Sequence, residues 1–105
     1  MVSDNSNWPS PRGDKPVILR LYVAGMTKSA RTALTNLEEI CEVHFPGKYK
    51  IETIDLRENP QIALDEEIFA VPTVVKQLPP PIRKVIGDLS DSEKVLEGLE
   101  LLSGD

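Results

Sequence analysis

Three consecutive prolines, Pro79-Pro80-Pro81, stand between two segments that each have the composition of a β-strand. A proline has no backbone N–H to give to a sheet ladder, so the run Leu78-Pro79-Pro80-Pro81-Ile82 forces the chain out of regular pairing at a fixed point. Each X-Pro bond also has only a small trans preference, and its isomers exchange over roughly tens to hundreds of seconds. A conformational choice made at this point of the chain is therefore a slow one.

The first half reads without conflict. Val17 to Ala24, Val-Ile-Leu-Arg-Leu-Tyr-Val-Ala, is an almost unbroken run of strand formers, the pattern of a central strand covered on both faces. After Gly25, Thr27 is placed to cap a helix in which Ala30, Ala33, Leu34, Leu37, Cys41 and His44 recur at helical spacing as far as Phe45-Pro46-Gly47. Tyr49 to Leu56 returns to strand character. Two strands flanking a helix predict a right-handed strand-helix-strand unit with parallel strands.

The second half is less consistent. Asn59 as cap and Pro60 at the first helical position predict a short helix, with Ala63, Leu64 and Ile68 continuing on one face. Val71 to Lys76 predicts a strand entered through Pro72, and Ile82 to Ile86 a second one after the triple proline. Gly87-Asp88 turns the chain. Ser90 and Glu93 form an S-x-x-E capping box for a last helix with Val95, Leu96, Leu99 and Leu102 on its apolar face. Two conflicts remain: Gly98 lies inside that helix, at a cost of about 1 kcal/mol relative to alanine, and four prolines interrupt the β-branched region from Val71 to Ile86. Such disagreement between local preference and global order often marks function.

The resulting order, βαβαββα with Val-Pro-Thr entering the third strand, is that of the thioredoxin fold. At 105 residues there is material for one core: residues 1–16, with Trp8 their only large apolar side chain, are expected to be a flexible extension, and residues 17–105 a single domain. The net charge of −5 argues against nucleic acid as a partner, since phosphate binding rests on clustered Lys and Arg. No apolar run approaches the roughly 20 residues that span a bilayer. With a single cysteine and no secretory pattern at its start, the chain is expected in the reducing cytoplasm.

Catalytic constellations are missing from the sequence. The segment Ala24-Gly25-Met26-Thr27-Lys28-Ser29, where a thioredoxin carries its thiols, has no cysteine, and disulfide exchange needs a thiolate. Cys41 falls on the apolar face of the first helix and is expected to be a packing residue. His44 follows three residues later, but no further ligands complete a metal set. No G-x-x-x-x-G-K-[ST] loop is present, and Asp55, Glu58, Asp65, Glu66 and Glu67 read as a solvated acidic face. Neither catalysis nor a cofactor is expected.

The segments Leu21-Tyr22-Val23-Ala24-Gly25, Ile54-Asp55-Leu56, Glu58-Asn59-Pro60-Gln61, Val71-Pro72-Thr73, Leu78-Pro79-Pro80-Pro81 and Ile86-Gly87-Asp88-Leu89-Ser90 together resemble the KaiB family of circadian clock proteins, from about Ile18 to Leu102. The resemblance implies a metamorphic protein. Its first half is kept, while its second half exchanges between a thioredoxin-like monomer and a ground state of order βαββααβ that assembles as a tetramer or dimer. It further implies that the thioredoxin-like form binds the N-terminal ATPase ring of a KaiC-type protein, captures KaiA, and displaces the SasA kinase.

Carried over by position, the resemblance implies a fold-switching role for Pro72, Pro79, Pro80, Pro81, Gly98 and Glu100, with Gly98→Ala favouring the thioredoxin-like form. It implies a ring-binding face at Gln61, Ile68, Ala70 and Pro72, with Lys76, Arg83 and Lys84 as accompanying cations. Glu52 stands where clock members commonly have a basic residue, and the chain stops at Asp105 where they continue into an acidic tail. These departures put the KaiA edge in question and suggest a paralogue in a stress or timer pathway. The leading reading is a non-enzymatic, fold-switching regulator of a KaiC-type ATPase. Two others stand beside it: a permanently thioredoxin-like adaptor, and a redox protein using Cys41.

Overall fold

The computed structural model describes residues 16–101. The elements follow in the order β1 (Val17–Val23), α1 (Lys28–His44), β2 (Tyr49–Asp55), α2 (Gln61–Asp65), β3 (Thr73–Leu78), β4 (Arg83–Ile86) and α3 (Ser92–Gly98). They form one four-stranded sheet in the order β2-β1-β3-β4. β1 runs parallel to β2, from Val17 opposite Tyr49 to Val23 opposite Asp55. It runs antiparallel to β3, which in turn pairs antiparallel with β4 from Thr73 opposite Ile86 to Lys76 opposite Arg83.

The two faces of the sheet carry separate cores. Val17, Leu19, Leu21 and Val23 of β1 and Val74 of β3 pack with Ala30, Ala33, Leu37, Ile40 and Cys41 of α1 and with Leu89, Val95, Leu96 and Leu99 around α3. On the other face Tyr22, Val75 and Ile68 pack with Ile54, Leu56, Ile62 and Ala63, so α2 covers that side. β1 is thus buried from both sides, as its unbroken hydrophobicity predicts. Alternate residues of β3 serve alternate cores: Val74 belongs to the α1/α3 face and Val75 to the α2 face.

Helix boundaries follow local chemistry, with three differences from expectation. Thr27 caps α1 as expected, its Oγ1 accepting the Ala30 N–H at 3.1 Å. For α3 the cap is Asp91, whose Oδ1 accepts the Lys94 N–H at 3.2 Å. The expected Ser90–Glu93 box does not form, because a carboxylate one residue further on reaches the same kind of orphan amide. α2 ends at Asp65, three residues short of Ile68, and Pro60 precedes it with no side-chain cap. Gly98 is the last residue of α3 and not an interior one. Leu102 and the expected N-terminal extension, except for Pro16, lie outside the described residues.

At the end of β3 the pairing with β1 slips: Leu19 faces Lys76 while Ile18 faces Leu78, leaving Gln77 as an extra residue. The proline triplet follows that bulge directly and carries the chain round to β4. The Val71-Pro72, Leu78-Pro79 and Pro80-Pro81 peptide bonds are cis.

Candidate protein-binding face

The turn between β1 and α1 is held by a carboxylate clip. Asp55, the last residue of β2, accepts the backbone N–H of Gly25 at 3.1 Å and that of Arg57 at 2.9 Å, and its Oδ2 lies 2.8 Å from Arg57 Nη2. The Arg57 guanidinium, then the two backbone amides, hold the Asp55 carboxyl well down, at about 2. Gly25 has φ +81°, a conformation that favours glycine, and a Cβ there would meet the Arg57 guanidinium carbon at 2.9 Å, so a side chain at this position would also displace the arginine from its place at Asp55. Beside this turn Val23, Ala24, Thr27, Ser29, Ala30, Val71 and Pro72 line an open hollow of about 270 Å³.

That hollow has no thiol. Cys41 lies in the α1 core, where burial first, and repulsion from Glu38 and Glu42 after it, push its pKa up to about 12. A thiol held protonated inside a core is a poor nucleophile. The redox reading therefore lacks its reactive group in this fold.

The residues expected on a binding face divide sharply. Gln61 and Ala70 are exposed, Gln61 donating from Nε2 to Asp65 Oδ1 at 3.1 Å and Ala70 presenting its carbonyl to the Thr73 hydroxyl at 2.6 Å. Ile68 and Pro72 are buried. Ile68 belongs to the α2-side core and shapes the face from beneath, while Pro72, though buried, lines the hollow.

The three cations are also engaged. Lys76 is entirely buried, its Nζ 3.5 Å from the Glu100 carbonyl. Burial pushes its pKa down, against the pull of Glu100 and with the push of Arg83. Arg83 and Lys84 are exposed on β4 but held: Arg83 Nη2 lies 2.7 Å from Glu100 Oε2, and Lys84 Nζ donates to the carbonyls of Glu66 at 2.8 Å and Glu67 at 3.0 Å. Lys76 is therefore corrected from a surface cation to an internal one.

Sequence reasoning missed the apolar groups that do reach solvent here. Phe69 is 86% exposed and Leu64 69%, with Val71 at 41%. All three lie in the stretch from α2 to β3, which also carries exposed Asp65, Glu66 and Glu67, and Val71 lines the hollow beside Pro72. Ile68 turns inward and its neighbour Phe69 outward, a division that no periodicity in this short irregular stretch could have disclosed. Solitary exposed apolar residues are ordinary, but three within eight residues beside a hollow are a candidate docking surface.

Of the residues assigned to fold switching, Gly98 ends α3 with its Cα facing Val85, and an added Cβ would come within 2.7 Å of Val85 Cγ2. Glu100 has φ +56°, in the left-handed region, as does Glu67. At the opposite edge of the sheet, Glu52 lies 3.0 Å from Arg20 Nε and 3.4 Å from Lys50 Nζ, and these cations, Arg20 first, lower its pKa.

The pattern of the KaiB domain family matches residues 20–101. The circadian clock oscillator protein KaiB of Prochlorococcus marinus is 54% identical over 93 residues, which are 89% of this chain and 78% of that protein. Its namesake from Synechococcus elongatus is 53% identical over 96 residues, 91% of this chain and 92% of that protein. Among solved structures, the N-terminal domain of Synechococcus elongatus SasA has a TM-score of 0.66 at 21% identity, covering 87% of this chain and 90% of that domain. Mitochondrial thioredoxin 3 from Saccharomyces cerevisiae has 0.64 at 19%, covering 84% and 80%. The last two are likenesses of fold alone, and the fold is thioredoxin-like, as the element order predicts.

Proposed function

The chain belongs to the KaiB family, and on that premise we propose that it is a clock regulator with no chemistry of its own. In this reading it docks on the N-terminal ATPase ring of a KaiC-type protein and adjusts that protein's phosphorylation cycle. The observation that carries the choice of surface is the 86% exposure of Phe69 beside exposed Leu64 and Val71. Exposed aromatic and aliphatic anchors of this kind commonly supply most of the energy of a protein interface. Gln61 and Ala70 lie on the same stretch, while Ile68 is packed beneath it and Pro72 lines the adjoining hollow.

The second half is also the half proposed to exchange with another arrangement. Supporting this are two glutamates with positive φ, Glu67 and Glu100, and a glycine, Gly98, closely packed on Val85. The two glutamates leave this fold less stable than glycine at those positions would, and Gly98 leaves the end of α3 without the helix propensity of an alanine. The shared fold of the SasA domain supports competition for one docking place. Capture of KaiA at the β2 edge is the finest part of the reading, and there Glu52 is already occupied by Arg20 and Lys50.

The test is co-elution with a hexameric KaiC-type ATPase from the same host, followed over hours. Wild type is expected to bind slowly. Phe69→Ser, which alters only an exposed side chain, is expected to weaken binding at least tenfold, the equivalent of about 1.4 kcal/mol. Wild-type affinity retained in Phe69→Ser would move the interface elsewhere. No binding by the wild-type protein under any condition would reject the reading, and fast binding would favour a permanently thioredoxin-like adaptor.

A further inference from the structure

α2 and α3 have five and seven residues, lengths at which a helix does not persist on its own in water. Both end in the same turn. In α2 the Ile68 N–H donates to the Ala63 carbonyl at 2.8 Å and the Glu67 N–H to the Leu64 carbonyl at 3.3 Å. In α3 the Leu101 N–H donates to Leu96 at 2.8 Å and the Glu100 N–H to Glu97 at 3.0 Å. This nested pair of bonds requires a left-handed residue just past the helix end, where glycine is the usual occupant. Here that residue is Glu67 in one case and Glu100 in the other, each with φ +56°.

An L-residue is strained there, and the carbonyls of the turn that closes each helix, like the helix's own last carbonyls, find no partner inside the helix. Both ends are met by cations from a single hairpin. Lys84 of β4 donates to the Glu66 and Glu67 carbonyls at 2.8 and 3.0 Å. Lys76 of β3 lies 3.5 Å from the Glu100 carbonyl, and Arg83 of β4 holds the Glu100 carboxylate at 2.7 Å. The register explains why one hairpin serves two helices. Lys84 is paired with Val75, whose side chain faces α2, and Lys76 with Arg83 on the face that holds α3.

We propose that the β3–β4 hairpin is a two-sided clamp on helix ends, Lys84 closing α2 and Lys76 with Arg83 closing α3, and that this clamp keeps both short helices on the sheet despite the strained glutamates. The proposal concerns the protein's own stability and holds whether or not a ring is its partner. It also gives the basic residues of β4 an internal duty.

Amide hydrogen exchange of the full chain, resolved by residue, tests it. Lys84→Met keeps the stem and removes the charge. It is expected to accelerate exchange at the Glu67 and Ile68 amides about tenfold while leaving those of Glu100 and Leu101 within about twofold. Lys76→Met is expected to do the reverse, and Glu67→Gly to slow exchange at Ile68 in both the wild-type and the Lys84→Met backgrounds. Unchanged exchange at Glu67 and Ile68 in Lys84→Met would overturn the clamp. So would equal acceleration at both helix ends, which marks a general loss of stability. Lys84 and Glu67 are on the surface, so these variants carry the test even if the buried Lys76 proves indispensable to folding.

Discussion

At the scale of single residues, Gly98 shows how two physical terms meet at one atom. Helix propensity favours alanine over glycine by about 1 kcal/mol, and on that ground alone the sequence predicts that Gly98→Ala promotes the thioredoxin-like fold. The added methyl, however, would lie 2.7 Å from Val85 Cγ2. Val85 is β-branched and set in a strand, so it has few ways to turn aside. Gly98→Ala is therefore expected to raise stability less than propensity alone implies, and its full gain should return when Val85 is shortened to alanine. A double-mutant cycle read by urea unfolding should show a coupling of about 1 kcal/mol between the two positions. Additivity within about 0.3 kcal/mol would mean that Val85 moves freely. The glycine was legible in the sequence, whereas its place at the very end of α3 and the neighbour that complicates it, thirteen residues earlier on β4, were not.

At the scale of elements, the β1–α1 turn depends on a residue from the following strand. Asp55 gathers Gly25 and Arg57 around one carboxylate, whose pKa is lowered from 3.8 to about 2. Because the folded value is the lower one, the stabilisation is complete above the ordinary value of 3.8 and is lost as pH falls through about 2. Asp55→Asn is expected to lower the melting temperature at neutral pH and to make the variant less sensitive than wild type between pH 4 and pH 2. Parallel melting curves for the two proteins over that range would remove Asp55 as the source. Element order and strand positions could be read from period and punctuation, since each strand is a short β-branched run and α1 repeats every three to four residues. Helix ends could not. The choice between Ser90 and Asp91 as cap, and the halt of α2 at Asp65, turn on which side chain reaches an amide in three dimensions.

At the scale of the whole molecule, Cys41 reports on the integrity of the larger core. It is buried with residues of β1, α1, β3 and the α3 region, and its pKa stands at about 12. A thiol reagent at pH 8 is expected to leave it unlabelled in the folded state and to react at the rate of core opening, so that stabilising the second half slows labelling. Prompt labelling under native conditions would restore the redox alternative. The candidate face shows the same division between what the sequence discloses and what it withholds. Its location near α2 and Pro72 followed from family resemblance, but which side chains reach solvent was settled by packing. Ile68 and Lys76 turned inward and Phe69 outward.

The sheet order β2-β1-β3-β4 makes β1 the strand on which the two halves of the chain meet. If the second half were to leave, the main-chain donors and acceptors of β1 that β3 satisfies, along Leu19 to Tyr22, would become a bare rim in the middle of the protein. Such a rim recruits another strand. Departure is then coupled to finding a replacement, from the released segment or from a second copy of the chain, and the balance between forms becomes a function of protein concentration as well as of sequence.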